Sequence, residues 1–207
     1  MQRRRVLMGM QSELPSAYRR VEYLSPLSKY SYFITDYHPN TLTRYDTILS
    51  VDNYGTVILS AGDEFDLSKS GWYVYKQVIK ESSASTSALT ILRYYPTKLW
   101  LTDENITRFA YYNDHGADNT ILFRPDLQPY QCASPLIIFG KDTEGIIQNP
   151  QYNSARLYGH LRITENGNVV HNYLTCYRKA DFEPGLYDTV TKQFLAKSGT
   201  GTFSYPQ

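Results

Sequence analysis

Cys176-Tyr177-Arg178-Lys179-Ala180-Asp181-Phe182-Glu183-Pro184-Gly185-Leu186-Tyr187-Asp188-Thr189-Val190-Thr191-Lys192-Gln193-Phe194-Leu195-Ala196-Lys197-Ser198-Gly199-Thr200-Gly201-Thr202-Phe203 decides the fold of this chain. Short apolar runs alternate with dense turn chemistry, the pattern of small antiparallel strands. Just upstream, Asn166-Gly167 is the strongest two-residue hairpin signal. Centring a turn there pairs Ile163 with Val170, Leu161 with Asn172 and Gly159 with Leu174. Those positions, with Leu157 and Cys176, form one mostly apolar face directed at a core. Tyr158, His160, Arg162, His171 and Tyr173 form the opposite, polar and aromatic face. Asn172 then sits on the core side and needs a buried partner. Beyond this hairpin, Pro184-Gly185 turns the chain, and Leu186-Tyr187 and Gln193-Phe194-Leu195 flank Asp188–Lys192 as a second, smaller hairpin. Asp188 can bond the backbone two residues on, and Thr191 can support the same turn. Gly199-Thr200-Gly201-Thr202-Phe203 leads into a final short strand.

The rest of the chain repeats this punctuation. Strands are expected at Val21–Leu24, Tyr30–Tyr37, Thr43–Val51, Val57–Ser60, Trp72–Ile79 and Ala88–Tyr95. Further ones are expected at Lys98–Leu101, Ile106–Tyr112, Thr120–Phe123 and Leu136–Gly140. Pro39-Asn40, Gly62–Asp66, Glu81–Ser87 and Asn113–Asn119 read as turns or loops, and Asn149–Asn153 as a loop or one helical turn. Heptads, exact repeats and long helical patterns are absent from the sequence. Many short strands at regular spacing predict an all-β protein, a sandwich or jelly roll. Residues 1–13 read as a basic N-terminal arm, and 14–207 as one domain.

Composition agrees with a packed core. Of 207 residues, 42% are hydrophobic and 20% charged, which excludes global disorder. The net charge of +1 gives no whole-chain case for nucleic acid. Charge is uneven, however: residues 1–20 sum to +4 through Arg3, Arg4, Arg5, Arg19 and Arg20 against Glu13, leaving −3 for the remainder. Tyrosine is enriched, with 20 residues, as suits half-buried sheet faces and recognition surfaces alike. Cys132 and Cys176 are too few for a disulfide framework and are expected as free, buried thiols. Arg3–Arg5 followed by Val6–Met10 mimics the start of a secretion signal, but Gln11–Pro15 ends its apolar part early. No stretch is long enough to span a membrane as a helix. The expectation is a chain kept in a bacterial cytoplasm or assembled there into something larger.

Two blocks resemble the laminin-G-like (concanavalin-A-like) jelly-roll domains of tailed phages, prophages and gut-bacterial surface proteins. The first runs Leu14-Pro15-Ser16-Ala17-Tyr18-Arg19-Arg20-Val21-Glu22-Tyr23-Leu24 and continues to His38-Pro39-Asn40-Thr41. The second is Leu157–Phe203. The resemblance implies a jelly-roll sandwich whose two ends close together in one sheet. It fixes fold more than function, because the fold hosts many roles. Ser25–Asp36 departs from the small, polar strand usual there, and residues 50–150 carry no matching motif. No ligand site can therefore be carried over. The Arg- and Met-containing leader is also similar to those that precede such domains in phage proteins.

Chemistry-bearing patterns are sparse. Glycoside hydrolysis on this fold needs facing carboxylates. Asp142-Thr143-Glu144 has the alternation of one such pair but leads into Gly145, and Asp181-Phe182-Glu183 leads into Pro184-Gly185. No catalytic residue is assigned, and an enzyme is not expected. His160 and His171 fall short of a zinc ligand set. Asn113–Asn119 lacks the ligand order of a calcium loop, so neither metal nor cofactor is expected. Trp72, Tyr75, Tyr95 and Tyr112 are the candidate glycan-stacking residues. Arg3, Arg4, Arg5, Leu7 and Met8 are the candidate assembly anchor, suited to an acidic groove on another protein better than to nucleic acid.

The leading expectation is a bacteriophage virion structural protein that is not an enzyme. It would be a head or tail decoration or fibre-associated protein displaying its jelly roll on the particle surface. Its expected partners are other virion proteins (capsid, portal, tail or fibre), with further copies of itself as a second option; membrane is not among them. The alternative is a carbohydrate-binding or adhesion module for host surface glycans.

Overall fold

The computed structural model describes residues 14–40, 43–51, 57–61, 72–75, 78–81, 84–85, 97–102, 107–112, 118–123, 134–143, 145–149 and 155–206. Side chains are described in all of these except residues 44, 49–51, 57, 72–123 and 143. The described residues are all-β, with antiparallel pairing throughout and no helix. In chain order the strands are β1 Tyr18–Arg20, β2 Tyr23–Pro26, β3 Phe33–Ile34, β4 Thr43–Val51, β5 Val57–Ala61, β6 Trp72–Tyr75 and β7 Val78–Glu81. Then come β8 Ala84–Ser85, β9 Thr97–Thr102, β10 Thr107–Tyr112, β11 Asp118–Phe123, β12 Ile137–Ile138 and β13 Lys141–Thr143. The last six are β14 Ile146–Gln148, β15 Ala155–Glu165, β16 Asn168–Arg178, β17 Pro184–Asp188, β18 Gln193–Ala196 and β19 Phe203–Ser204.

The larger sheet runs β11-β10-β9-β4-β15-β16-β17-β18, with β1, β2 and β19 attached at its side. A second sheet runs β3-β12-β5-β6-β7-β8, and β13 and β14 form a separate ribbon. Both large sheets feed one core: Leu157, Leu161, Ile163, Tyr173 and Leu186 from the first meet Phe33, Ile58, Leu59 and Ile138 from the second. Each fully buried aliphatic side chain there contributes about 1.5–3 kcal/mol. The first and last described strands lie close together. β1 lies against β16, pairing Arg20 with Cys176, and β19 lies against β2, pairing Phe203 with Pro26.

Several expectations hold. Thr43–Val51 is a strand with the expected bounds. The hairpin β17–β18 forms, and its turn uses Asp188 as anticipated: the Val190 amide donates to Oδ1 at 3.0 Å and the Thr191 hydroxyl to Oδ2 at 2.8 Å. Others are corrected. Only Phe33–Ile34 of Tyr30–Tyr37 is strand. Trp72–Ile79 is two strands in a hairpin, and Glu81–Ser87 includes the short strand β8. Pro184-Gly185 begins β17 rather than turning the chain; the turn lies at residues 179–183. Gly185 is needed there because a Cβ would overlap the Phe194 ring and sit 2.7 Å from the Leu195 carbonyl oxygen. Ala88–Tyr95, Asn149–Asn153 beyond its first residue, Cys132 and the arm 1–13 lie outside the described residues.

The main hairpin carries the most consequential correction. Its turn is Asn166-Gly167, both in the left-handed region at φ 47° and 77°. Glu165 faces Asn168 and Thr164 faces Val169, but Ile163 then faces His171, leaving Val170 as an extra residue. Such a bulge inverts every following side chain. His171 and Tyr173 therefore point to the core side with Leu161 and Ile163, while Leu174 and Cys176 take the other face. Cys176 is still buried, as expected, and its burial pushes the thiol pKa up to about 12. The inversion also removes the anomaly at Asn172, whose side-chain amide reaches the Thr189 hydroxyl at 2.7 Å instead of entering the core.

Candidate functional site

The inverted strand places a polar cluster at the core edge. His171 lies 2.8 Å from Asp188 Oδ2 through Nδ1, and its ring stacks on Tyr173 at 5.3 Å. A carboxylate only accepts, so the His171 Nδ1 carries the proton. Asp188 also accepts from the Asn172 amide at 2.9 Å, besides Val190 and Thr191. Burial pushes the Asp188 pKa up, but the bonds from His171, the two amides and Thr191 outweigh it and hold the carboxyl well below the usual range. Burial, then Asp188 and Asp36, raise the Tyr173 hydroxyl far above its ordinary value, so it stays a neutral partner. With both oxygens of Asp188 doubly bonded, this cluster is a structural knot joining β16 to the β17–β18 turn.

A second region lies at the β16–β17 turn. Arg178 grips Asp181 in a two-point bond, Nε to Oδ1 at 3.0 Å and Nη2 to Oδ2 at 2.6 Å. The Arg178 bond holds the exposed Asp181 carboxyl below its ordinary pKa. Asp181 also receives the Glu183 amide, and the Arg178 amide donates to the Glu183 carbonyl. This bracing forces Phe182 to φ 59°, a left-handed conformation that costs a side-chain-bearing residue about 1–2 kcal/mol. Phe182 is nonetheless 64% exposed. One face of its ring stacks on Tyr177 at 5.8 Å, and Tyr177 stacks in turn on Tyr205 at 5.3 Å. The Tyr205 hydroxyl donates to the Phe182 carbonyl at 3.1 Å, tying the stack to the turn.

Tyr177 of this stack also joins Pro206, Lys179, Leu14–Ser16 and Tyr18–Glu22 in lining a cleft of about 520 Å³. That size lies within the range of small-ligand sites. Its exposed charged side chains are Arg19, Glu22 and Lys179, the last donating to the Ser16 carbonyl at 2.7 Å.

The residues singled out in the sequence fare unevenly. Arg3, Arg4, Arg5, Leu7, Met8 and Tyr95 lie outside the described residues. Trp72 and Tyr75 bound β6 in the second sheet, whereas Tyr112 ends β10 in the larger one, so Tyr112 lies in a different sheet from the other two. His160 and His171, expected on one exposed face, are separated by the bulge: His160 is half-buried 3.9 Å from Asp46, and His171 is buried against Asp188. Asp142 accepts the Gly145 amide at 2.8 Å and shapes the β13–β14 turn. The missed residues are Phe182, Tyr177 and Tyr205. One signal for them was present: a large apolar side chain inside the polar turn Lys179-Ala180-Asp181-Phe182-Glu183.

No family model and no curated protein matches the chain. Among solved structures it is similar to scytalidoglutamic peptidase bound to a peptide-based transition-state analogue, at 12% identity and a TM-score of 0.37 over 92% of this chain and 98% of that one. It is also similar to another eqolisin-family peptidase in complex with a tripeptide, at 11% identity and a TM-score of 0.31 over 92% and 98% of the two chains. The expectation that the chain is not an enzyme is corrected by these matches, which are to peptidases. Likeness at this level assigns no reaction and no catalytic residue to this chain.

Proposed function

We propose that this chain is a surface domain of a bacteriophage particle, a laminin-G-like jelly-roll sandwich displayed outward and held to neighbouring virion proteins through residues 1–13. The observation that carries this reading is the closure of the chain ends. The two blocks that bear the resemblance to phage jelly rolls are hydrogen-bonded to each other, β1 to β16 and β2 to β19. A second observation concerns attachment: Leu14, the first described residue, lines the cleft together with Arg19, Glu22 and Lys179. Removing residues 1–13 tests the anchor. The truncated chain is expected to fold, because those residues precede the first described strand, and to be missing from purified particles. Normal incorporation of the truncated chain would overturn the anchoring role.

A second reading, a module for host surface glycans, is favoured by the exposed ring of Phe182 on its aromatic stack. The two are compatible, since a particle-surface domain can also be the part that touches the host.

A further inference from the structure

We infer that Phe182, Tyr177 and Tyr205, with Arg19, Glu22 and Lys179 of the adjoining cleft, form a saccharide-binding site for a β-linked pyranose; this inference rests on the glycan-module reading above. The inner face of the Phe182 ring is covered by Tyr177, while the side chain as a whole is 64% exposed, so an aromatic face is open to solvent. An aromatic face carries negative quadrupolar charge. A pyranose with equatorial hydroxyls and a β linkage turns a face of axial, weakly positive C–H groups toward such a ring.

The size of the surface identifies the occupant. A stable protein interface buries about 800 Å² on each partner, several times what one exposed phenyl ring offers. Among the described residues, the other large exposed apolar side chains, Leu27, Tyr30, Ile146, Val169 and Val190, belong to other loops and strands and do not extend it along the chain. One ring matches one sugar. The cleft that shares Tyr177 with the stack offers room for a neighbouring sugar unit, with guanidinium, carboxylate and ammonium groups for its hydroxyls.

The ring is also held ready. The Arg178–Asp181 fork, the Glu183 amide and the Tyr205 hydroxyl fix a turn that places a bulky residue at a positive φ. Ordering these groups before binding removes a cost otherwise met on association. A turn with only a structural task would be served better by glycine, which adopts that conformation freely.

The same preference supplies the test. Phe182→Gly deletes the ring at a position whose backbone suits glycine, so this variant is expected to melt close to the parent. Saturation-transfer NMR with methyl β-glucoside, methyl β-galactoside and methyl β-N-acetylglucosaminide, followed by a glycan array, reads binding by the full chain. The parent is expected to bind at least one of these, Phe182→Tyr to retain it, and Phe182→Gly to weaken it roughly tenfold or more. Undiminished binding by Phe182→Gly would overturn this site while leaving the glycan-module reading standing. Absence of binding by the parent to every probe would overturn both.

Discussion

Asp188 and Phe182 are two residues of one motif with opposite characters. Asp188 is almost inaccessible, 2% exposed, yet charged; its charge is balanced by four hydrogen bonds that water cannot replace. Removing a partner of such a buried, bonded charge is costly, so Asp188→Ala is expected to lower the unfolding free energy by about 3 kcal/mol. The sign of its pH dependence follows from its depressed pKa. Its contribution is complete above the unfolded carboxylate value of about 4 and is lost as pH falls through the lower folded value. Urea unfolding from neutral pH downward should show that acid loss in the parent and a flatter acid limb in the variant. The bonds from Asp188 to residues 190 and 191 were legible in the sequence, because turn chemistry is local. Its bond to His171, 17 residues away, was not, because it depends on strand register. Phe182 was visible only as an oddity, an apolar ring among polar turn residues.

At the level of the elements, one extra residue in β16 separates the expected hairpin from the real one. The turn Asn166-Gly167 was correctly legible, since both residues accept the left-handed backbone that a tight hairpin needs. The bulge at Val170 was not, because the alternation of apolar residues fits either register about equally well. What favours the bulged register is polar: it lets Asn172 reach Thr189 and His171 reach Asp188. The β17–β18 hairpin was legible as a hairpin, but the role of Gly185 was misread as a turn. Its missing side chain makes room for Phe194, which stacks on Tyr18 at 5.1 Å and lies under Arg178. Gly185→Ala is therefore expected to cost about 1–3 kcal/mol through overpacking, seen as a lower melting temperature with unchanged strand content by circular dichroism. Had Gly185 been a turn glycine in extended backbone, the same change would be nearly silent.

Across the whole molecule, the ends of the chain carry the organisation. Leu14–Leu24 and Leu157–Phe203 lie far apart in sequence but are joined through Arg20 and Cys176, Leu24 and Leu157, and Pro26 and Phe203. That closure was legible because turn-rich motifs at both ends had a recognisable order. The candidate binding surface was not, because it is assembled from three separate segments: Leu14–Glu22, residues 177–183 and the C-terminal Tyr205-Pro206. No local pattern announces such a convergence. The aromatic residues that sequence alone favoured, Trp72, Tyr75 and Tyr112, are divided between two sheets, whereas the stack in the structure joins Tyr177 near the end of β16, Phe182 in the following turn and Tyr205 after β19. The place proposed for this assembly is the outside of a phage particle. This placement is tested most directly by mass spectrometry of gradient-purified particles together with immunogold labelling against the 179–183 turn. The expected result is the full-length chain at a fixed copy number, with label at a defined position on the particle exterior. Particles that infect normally and contain none of the chain would contradict it.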